Sequence, residues 1–328
     1  MNTSEAYEVE VVDGGAVAPA AGGSPLTGAL ISRYVAFLDA KPRTVEAYAK
    51  SLKPFLLWAA ARGITSTRSI TRADVLAYRE GLKARVKPAT VQMYITALRL
   101  FIRWAAQEGL MENVADHVKG AKLDKEHKKD YLTAEQVRNL LSKVDRSTLA
   151  GSRDYALLLL AVTGGLRTIE IARADAGDIR TVADFSALYI QGKGRDEKSE
   201  YVRLDAHTEK AIRDYLAKRG SVKDDSPLFA SLSHNGEGSR LTTRAISGII
   251  KGYLKAAGYN SARLTAHSLR HTAATLSLMA GRPLEEVQQF MRHSQITTTM
   301  IYNHALDKAR NACAAAVAGV IFAAGVIA

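Results

Sequence analysis

Residues 265–304 read TAHSLRHTAATLSLMAGRPLEEVQQFMRHSQITTTMIYNH, and this stretch decides how the rest of the chain is interpreted. Gly281 followed by Pro283 predicts the end of one helix and the start of the next. Apolar residues then recur at helical spacing, so the second helix has a buried face. Ser294 can cap a third helix, which contains Tyr302 about two turns inside it. The stretch therefore predicts three short helices joined by tight turns.

Four side chains of this stretch carry chemistry, and three helices of this kind can bring them to one rim. They are His267, Arg270, His293 and Tyr302. A tyrosine hydroxyl is a nucleophile, imidazoles move protons, and a guanidinium binds a phosphate through two parallel hydrogen bonds. The set predicts attack on a phosphodiester.

The composition favours a nucleic-acid partner. The chain has 328 residues, which predicts two domains, and a net charge of +12. Residues 1–32 contain four acidic residues and no Lys or Arg, so the remainder carries +16. A body that basic favours a polyanion, most often nucleic acid, although basic charge can also serve solubility alone. The single cysteine, Cys313, excludes an internal disulfide and a cysteine-based zinc cage, and no signal peptide is expected, so we expect a cytoplasmic protein.

The first part of the chain predicts an acidic, disordered tail over residues 1–25 and a helical domain over residues 26–118. Pro54 should kink or split the second helix, and Thr71 should cap the third. The four helices are predicted at roughly 26–39, 44–62, 71–83 and 88–109. Residues 119–130 hold five lysines without apolar periodicity and predict a basic linker, which either follows a nucleic-acid backbone or is a plain tether.

Several basic residues at helix starts and in loops are candidates for contacts with DNA phosphates. Such contacts position a protein on the duplex without reading its sequence. For any single one of these residues, a solvated charged surface is the simpler interpretation. The candidates are Lys41, Arg43, Lys50, Lys87, Arg240 and Arg244.

A second domain is predicted over residues 131–311. A capped helix starts at Thr133, and the apolar run 153–163 predicts a core helix that leads into Gly164–Gly165–Leu166–Arg167. Arg167 is well placed for an anion, although a surface arginine paired with Glu170 is the preferred interpretation of this stretch in isolation. The fold class is therefore mainly α-helical with a small antiparallel β-sheet.

The β region is predicted between residues 179 and 204, with strands at 186–190 and 201–204. The loop between them contains Gly192–Lys193–Gly194, which does not have the spacing of a P-loop. Residues 312–328 form an apolar tail, shorter than the roughly 20 residues of a bilayer span. It is expected to pack on its own domain or on a neighbouring subunit, and no membrane partner is expected.

The segments ALLLLAVTGGLRTIEI, YIQGKG, HSLRHTAATL and RHSQITTTMIY resemble, in order and spacing, the tyrosine recombinase (integrase) family. The resemblance covers about residues 26–310. The family includes phage and conjugative-element integrases and Cre-like and Xer-type enzymes. It implies a helical core-binding domain of the SAM-like kind and an α+β catalytic domain, which together clamp DNA. It also implies strand exchange for integration or excision of a mobile element, or for resolution of DNA dimers.

The resemblance assigns roles to the residues at the matching positions. Tyr302 would be the nucleophile that forms a 3′-phosphotyrosyl intermediate. Arg167 and Arg270 would hold the scissile phosphate. His267 and His293 would complete the pocket, with His267 accepting the proton of the tyrosine.

Two further residues match the family, and two depart from it. Lys193 would protonate the leaving 5′ oxygen, and Glu170 would support the first arginine. Gly164 stands where the family often has threonine, and Arg292 stands where a glycine commonly precedes the second histidine. Neither departure removes a reacting group.

The chemistry requires no cofactor and no metal, because two arginines can stabilise the charge of the transition state. A tyrosine with a pKa near 10 needs a nearby base at neutral pH, and an imidazole can serve. The expected partners are double-stranded DNA with specific recombination sites and other copies of the chain, as a dimer on one site and a tetramer in synapsis.

Three alternatives stay open. A type IB topoisomerase uses similar chemistry, and a catalytically inactive DNA-binding regulator would share the fold. A zinc hydrolase built from His267, His271 and His293 is the weakest, because the H-E-x-x-H spacing is absent. His271 is more simply a structural or DNA-contacting neighbour.

Overall fold

The computed structural model describes residues 23–122, 130–192, 195–302, 313, 316 and 317. The chain forms two compact units, a first unit over residues 1–125 and a second unit over residues 126–328. Lys193, most of the acidic tail, the middle of the linker and most of the apolar tail lie outside the described residues.

The first unit is helical. Its α-helices are α1 (Gly28–Phe37), α2 (Pro42–Ala60), α3 (Arg72–Lys83) and α4 (Pro88–Gln107). The predicted cap of α3 is confirmed, since the Thr71 hydroxyl accepts from the amide of Asp74 and the Asp74 carboxylate accepts from the amide of Thr71. Of the two predicted effects of Pro54, a kink or a split, the split does not occur, because α2 continues through this residue. Packing of α2 along α4 outweighs the loss of one backbone hydrogen bond.

The core of the first unit is aromatic and aliphatic. Leu98 and Phe101 of α4 are fully buried, because apolar residues recur on one face of this helix. The ring of Tyr34 meets that of Phe101 edge to face with centroids 5.5 Å apart, and Phe55 meets Tyr78 in the same way at 5.1 Å. Aromatic pairs of this kind add to the stabilisation from buried area.

The second unit combines helices with one small sheet. Its elements are α5 (Ala134–Ser142), α6 (Leu149–Thr163), α7 (Thr168–Arg173), β1 (Ile179–Val182), β2 (Phe185–Ile190), β3 (Glu200–Arg203), α8 (Ala206–Arg219), α9 (Thr243–Ala256), α10 (Ala266–Met279) and α11 (Leu284–Met291). The strands are antiparallel in the order β1-β2-β3, and Tyr189 lies opposite Tyr201. The predicted fold class is confirmed. The sequence predicted two strands, whereas β1 forms a third one, joined to β2 by a tight turn at Ala183, whose φ is +52°.

The centre of the second unit is α6, which is buried along almost its whole length against α8 and α10. A helix that is apolar all round belongs in a core. It begins four residues before the predicted start at Arg153, because the Thr148 hydroxyl caps it by accepting from the amide of Gly151 at 3.0 Å. Its end delivers the turn at Gly165 and then α7. Among the described helices, none has the length and hydropathy that a bilayer crossing requires.

Candidate active site

The stretch that opened the sequence analysis folds as three helical segments, as predicted. They are α10, α11 and the helical residues 296–302. Gly281 ends the first with a φ of +80°, a left-handed conformation that glycine adopts without strain. The third segment starts at residue 296 and not directly after Ser294.

Arg270 lies in the interior, with only 1% of its surface exposed. Its guanidinium donates to the carbonyl oxygens of Gly165 and Met291 and so joins the turn after α6 to the end of α11. Burial, followed by the charges of Arg167 and Arg292, lowers the pKa of Arg270 to about 9. The group is therefore still charged at neutral pH.

Glu170 is a completely buried carboxylate at the centre of this charge cluster. Oε2 accepts from the backbone amide of Arg167 at 2.8 Å and from Nη2 of Arg292 at 3.1 Å, and Oε1 accepts from Nη1 of Arg167 at 2.7 Å. Nη1 of Arg270 lies 3.9 Å from Oε2. Burial raises the pKa of Glu170, but Arg292, Arg167 and Arg270 together hold it below its ordinary value. The carboxylate is ionised and aligns the arginines.

Arg167 is the most accessible of these groups, with 27% of its side chain exposed. It borders two clefts of the second unit, of about 930 and 660 Å3. Arg292 and His293 also line the larger cleft, and Lys251 and His267 also line the smaller one. An anion entering either cleft reaches the same guanidinium.

Gly165 makes the close approach in this site possible. Its φ is +55°, and a Cβ at this position would come within 3.1 Å of the sulfur of Met291 and within 3.2 Å of the ring of Phe290. A side chain here would be strained in its backbone and would collide with α11. Glycine at position 165 therefore allows the turn after α6 to pack closely against α11 and to lead into Arg167.

Tyr302 is nearly buried, with 6% of its surface exposed. Its ring lies parallel to that of His293, 6.2 Å apart at an angle of 6°, and 5.0 Å from that of His271. Burial raises the pKa of Tyr302 more than the nearby charges of Arg270 and Arg167 lower it. The phenol is therefore protonated at neutral pH.

The imidazoles surround the phenol. The ring of His271 contacts that of Tyr302 and also that of His267, with a centroid distance of 4.5 Å to His267. Nδ1 of His293 is 2.9 Å from the hydroxyl of the buried Thr299. Burial, followed by the charges of Arg270, Arg167 and Arg292, lowers the pKa of His293 to about 4. His293 is thus a neutral imidazole at neutral pH.

Two residues near the phenol and Glu170 are not among the predicted catalytic residues, and the sequence gives His271 only the role of a structural or DNA-contacting neighbour. His271 follows His267 by four residues on the same helix, and this spacing was the available signal. Arg292 had been noted only as a departure from a family pattern. No local pattern predicts its buried contact with Glu170, which is 122 residues away in the chain.

The candidate DNA-binding residues lie on the surfaces of the two units. Lys41, Arg43, Lys50, Lys87 and Arg244 are exposed. The guanidinium of Arg240 donates to the carbonyl oxygens of Ala172 and Ala174 at 2.9 and 3.1 Å and pairs with Asp175. Its intramolecular contacts account for Arg240 without DNA, and the assignment of all six residues to DNA stays a prediction.

The described residues contain no group of three or more His, Cys, Asp or Glu side chains placed to hold a metal ion. What they do contain is a buried phenol beside imidazoles and three guanidiniums around one carboxylate. Such a set can bind a phosphate and move a proton from an attacking hydroxyl.

Comparison with known protein families identifies the family of the chain. Residues 130–309 match the model of the phage integrase family, and residues 31–109 match the N-terminal SAM-like domain of phage integrases. The chain belongs to the phage integrase family. The family predicted from the motifs, that of the tyrosine recombinases, is therefore confirmed.

Several relatives of this integrase-family chain are tyrosine recombinases. It is 34% identical over 197 residues to the tyrosine recombinase XerC of Chlamydia caviae, an alignment that spans 60% of each chain. It is 33% identical to XerC of Caldanaerobacter subterraneus, of which it covers 53%. It is 30% identical over 285 residues to XerC of Herpetosiphon aurantiacus, covering 84% of this chain and 90% of that one.

Solved structures of the family share its fold. The XerH site-specific recombinase, in a post-cleavage complex with palindromic difH substrate, matches with a TM-score of 0.67 and 22% identity over 85% of this chain and 81% of that one. A lambda integrase dimer bound to a COC′ core site matches with a TM-score of 0.67 and 20% identity over 86% and 77% of the two chains.

Proposed function

We propose that the chain is a site-specific DNA recombinase that cleaves and rejoins DNA through a 3′-phosphotyrosyl intermediate. The observation that carries the proposal is the placement of Tyr302, nearly buried, within range of the charges of both Arg167 and Arg270. Without the two arginine charges nearby, a nearly buried phenol would be an ordinary core residue. Membership of the phage integrase family and the XerC relatives support the same activity.

The proposed reaction is a transesterification. Oη of Tyr302 attacks the phosphorus in line, a Tyr–O–P bond forms, and the bond from phosphorus to the 5′ oxygen breaks. The phenolic proton passes to an imidazole, for which His267 is the proposed acceptor. The ring of His271 contacts both the imidazole of His267 and the phenol. Lys193 is proposed to return a proton to the leaving 5′ oxygen.

The arginines supply the charge stabilisation. Arg167 and Arg270 are proposed to bind the non-bridging oxygens of the phosphate, with Glu170 aligning them. A different 5′ hydroxyl then attacks the phosphorus of the phosphotyrosyl link. The Tyr–O–P bond breaks, Tyr302 is released and a new strand is joined. The covalent link preserves the energy of the phosphodiester, so no ATP is required.

The proposed partners follow from this chemistry. The substrate is double-stranded DNA with specific recombination sites, bound by a dimer at one site and a tetramer in synapsis. Lys41, Arg43, Lys50, Lys87, Arg240 and Arg244 remain candidates for backbone contacts. The proposed biological role is integration or excision of a mobile element, or resolution of DNA dimers.

The test is a covalent trapping assay on nicked duplexes taken from the DNA that flanks the gene. The wild-type chain should form an adduct that survives denaturing electrophoresis, and Tyr302→Phe should abolish it. Tyr131→Phe, at an exposed tyrosine of the same unit, is the matched control and should retain it. An adduct that persists in Tyr302→Phe would show that the nucleophile is another residue.

Further assays on the same protein separate the alternatives. A topoisomerase would relax supercoiled plasmid as a monomer without exchanging strands between two sites. A DNA-binding regulator would shift the duplex in a gel but form no adduct on any substrate. Sequencing the DNA at the covalent 3′ ends would identify the recombination site.

A further inference from the structure

Arg292 occupies an unusual backbone position at the edge of the site. It follows the last residue of α11 with φ +52° and ψ +48°, the left-handed conformation that glycine most often adopts at the end of a helix. A residue with a Cβ is strained here, so glycine would be the less costly residue at this position.

The side chain of Arg292 is 8% exposed and makes a defined set of contacts. Nη1 donates to the carbonyl oxygen of Phe290 at 2.7 Å, and Nη2 donates to the carbonyl oxygen of Gly165 at 3.0 Å and to Oε2 of Glu170 at 3.1 Å. The guanidinium therefore ties the turn after α6 to the corner that precedes His293. Nη2 of Arg167 closes this contact by donating to the carbonyl oxygen of Arg292 at 3.3 Å.

The charges of the cluster do not balance. Three guanidiniums, those of Arg167, Arg270 and Arg292, face the single carboxylate of Glu170. Arg292 lies within hydrogen-bonding distance of Oε2, whereas Arg270 is 3.9 Å from the same oxygen. Arg292 is thus the guanidinium that pairs with this carboxylate oxygen, and Arg167 and Arg292 are the members of the cluster that border the larger cleft.

We propose that Arg292 is a positioning residue of the phosphate site: it pairs with Oε2 of Glu170 and so keeps Arg270 from pairing closely with that oxygen, while Oε1 aligns Arg167. It also fixes the corner at which His293 leaves α11. This inference rests on the proposed function and adds to it a third arginine, at a position where the family commonly has glycine.

The neighbourhood of His293 provides a readout that a purely structural role would not change. The charged and titratable groups around this imidazole are those of Arg270, Arg167, Arg292 and His267, together with the phenol of Tyr302. Arg292 is one of the charges that keep the pKa of His293 low. Removing its charge should therefore let the pKa of His293 rise toward its ordinary value.

The test compares Arg292→Gly, Arg292→Gln and Arg292→Lys with Arg282→Gln. Arg282 is an exposed arginine just before α11 that pairs with Glu286, so it is a matched loss of one charge. Arg292→Gly should remain folded, because glycine favours the left-handed backbone at this position. We expect both neutral variants to slow adduct formation by about 10- to 100-fold, as loss of a supporting contact around a reactive site commonly does.

Two measurements accompany the rates. An NMR titration should give a higher pKa for His293 in the two neutral variants than in the wild type, Arg292→Lys or Arg282→Gln. Titration with inorganic phosphate, followed on the same resonance, should show weaker binding in the neutral variants. Arg292→Lys keeps the charge but cannot make the same bridge, so its cleavage rate should lie between those of Arg292→Gln and the wild type.

Neutral variants that cleave at the wild-type rate, bind phosphate as tightly and keep a low pKa for His293 would overturn the inference while leaving the proposed function intact. If the wild-type chain forms no adduct, the proposed function fails. The NMR and phosphate titrations would then still decide whether Arg292 holds an anion site.

Discussion

The two units of the chain bury different kinds of side chain. Among the described residues of the first unit, the buried polar groups are uncharged and include the hydroxyls of Ser51, Ser66 and Thr67 and the phenol hydroxyls of Tyr34 and Tyr78. The second unit buries charged groups, including Arg270 and Glu170 at the candidate site. The first unit is thus stabilised mainly by apolar packing, whereas the second places charges in its interior, where chemistry needs them.

The difference has an energetic consequence. Taking a guanidinium or a carboxylate out of water costs several kcal/mol unless its partners compensate, so a buried cluster tolerates loss of a partner poorly. An apolar core loses stability in proportion to the volume removed and does so at any pH. The following predictions use this contrast.

The largest effect is expected from Glu170→Ala. Removing the carboxylate leaves three guanidiniums facing one another in the interior of the second unit, which should lower its free energy of unfolding by about 3–5 kcal/mol. Hydrogen exchange measured on peptides of α6, α7 and α10 would report the loss. Glu108→Gln, which removes a surface partner of Arg33, is the control and should cost less than about 1 kcal/mol.

A smaller effect, confined to the first unit, is expected from Leu98→Ala. This side chain is fully buried, so its truncation should cost about 2–5 kcal/mol. Both tryptophans of the chain, Trp58 and Trp104, lie in the first unit, so tryptophan fluorescence during urea unfolding follows that unit alone. Leu57→Ala, at a leucine that is 64% exposed, should leave the midpoint nearly unchanged. Equal losses in both variants would contradict the assigned core.

The smallest effect is a pH dependence that separates the units. The folded state lowers the pKa of His293 from 6.5 to about 4, so between these values the unfolded state binds more protons. Stability from this group is complete above pH 6.5 and is lost as the pH falls to about 4. Glu170, whose pKa is also lowered, adds a loss below its ordinary value of 4.5. Solvent screening reduces the effect because His293 is only half-buried.

This pH dependence is measured by urea unfolding at several pH values. Hydrogen exchange in α10 and α11 should accelerate relative to the first unit as the pH falls from 6.5 to 4. Tryptophan fluorescence, which follows the first unit, should show a nearly constant midpoint. If the two units weakened in parallel, the buried charges would not be the cause.

Local signals in the sequence predicted much of the architecture. Helix periodicity, the caps at Thr71 and Thr133 and the break at Gly281 lie within a few residues of the structure that they specify. The apolar run before Gly164 predicted a core helix because such a run is soluble only when buried. The motif order predicted the family, and the family model confirms it.

Other features depended on contacts that no local pattern encodes. The continuity of α2 through Pro54 depends on packing against α4, and the added strand β1 depends on pairing with β2. The short helix α7 and the early start of α6 were missed because their signals are a few polar residues in an apolar context.

The sequence by itself determined the family and the candidate residues for its chemistry, because reactive side chains at family spacings are visible in the chain. Only the tertiary structure decided their electrostatic environment. Glu170, Arg167, Arg270 and Arg292 meet although the first two are at least 100 positions away from the last two in the chain. Their charges, and the neutral state of His293, depend on burial and on these long-range neighbours, which exist only after the chain has folded.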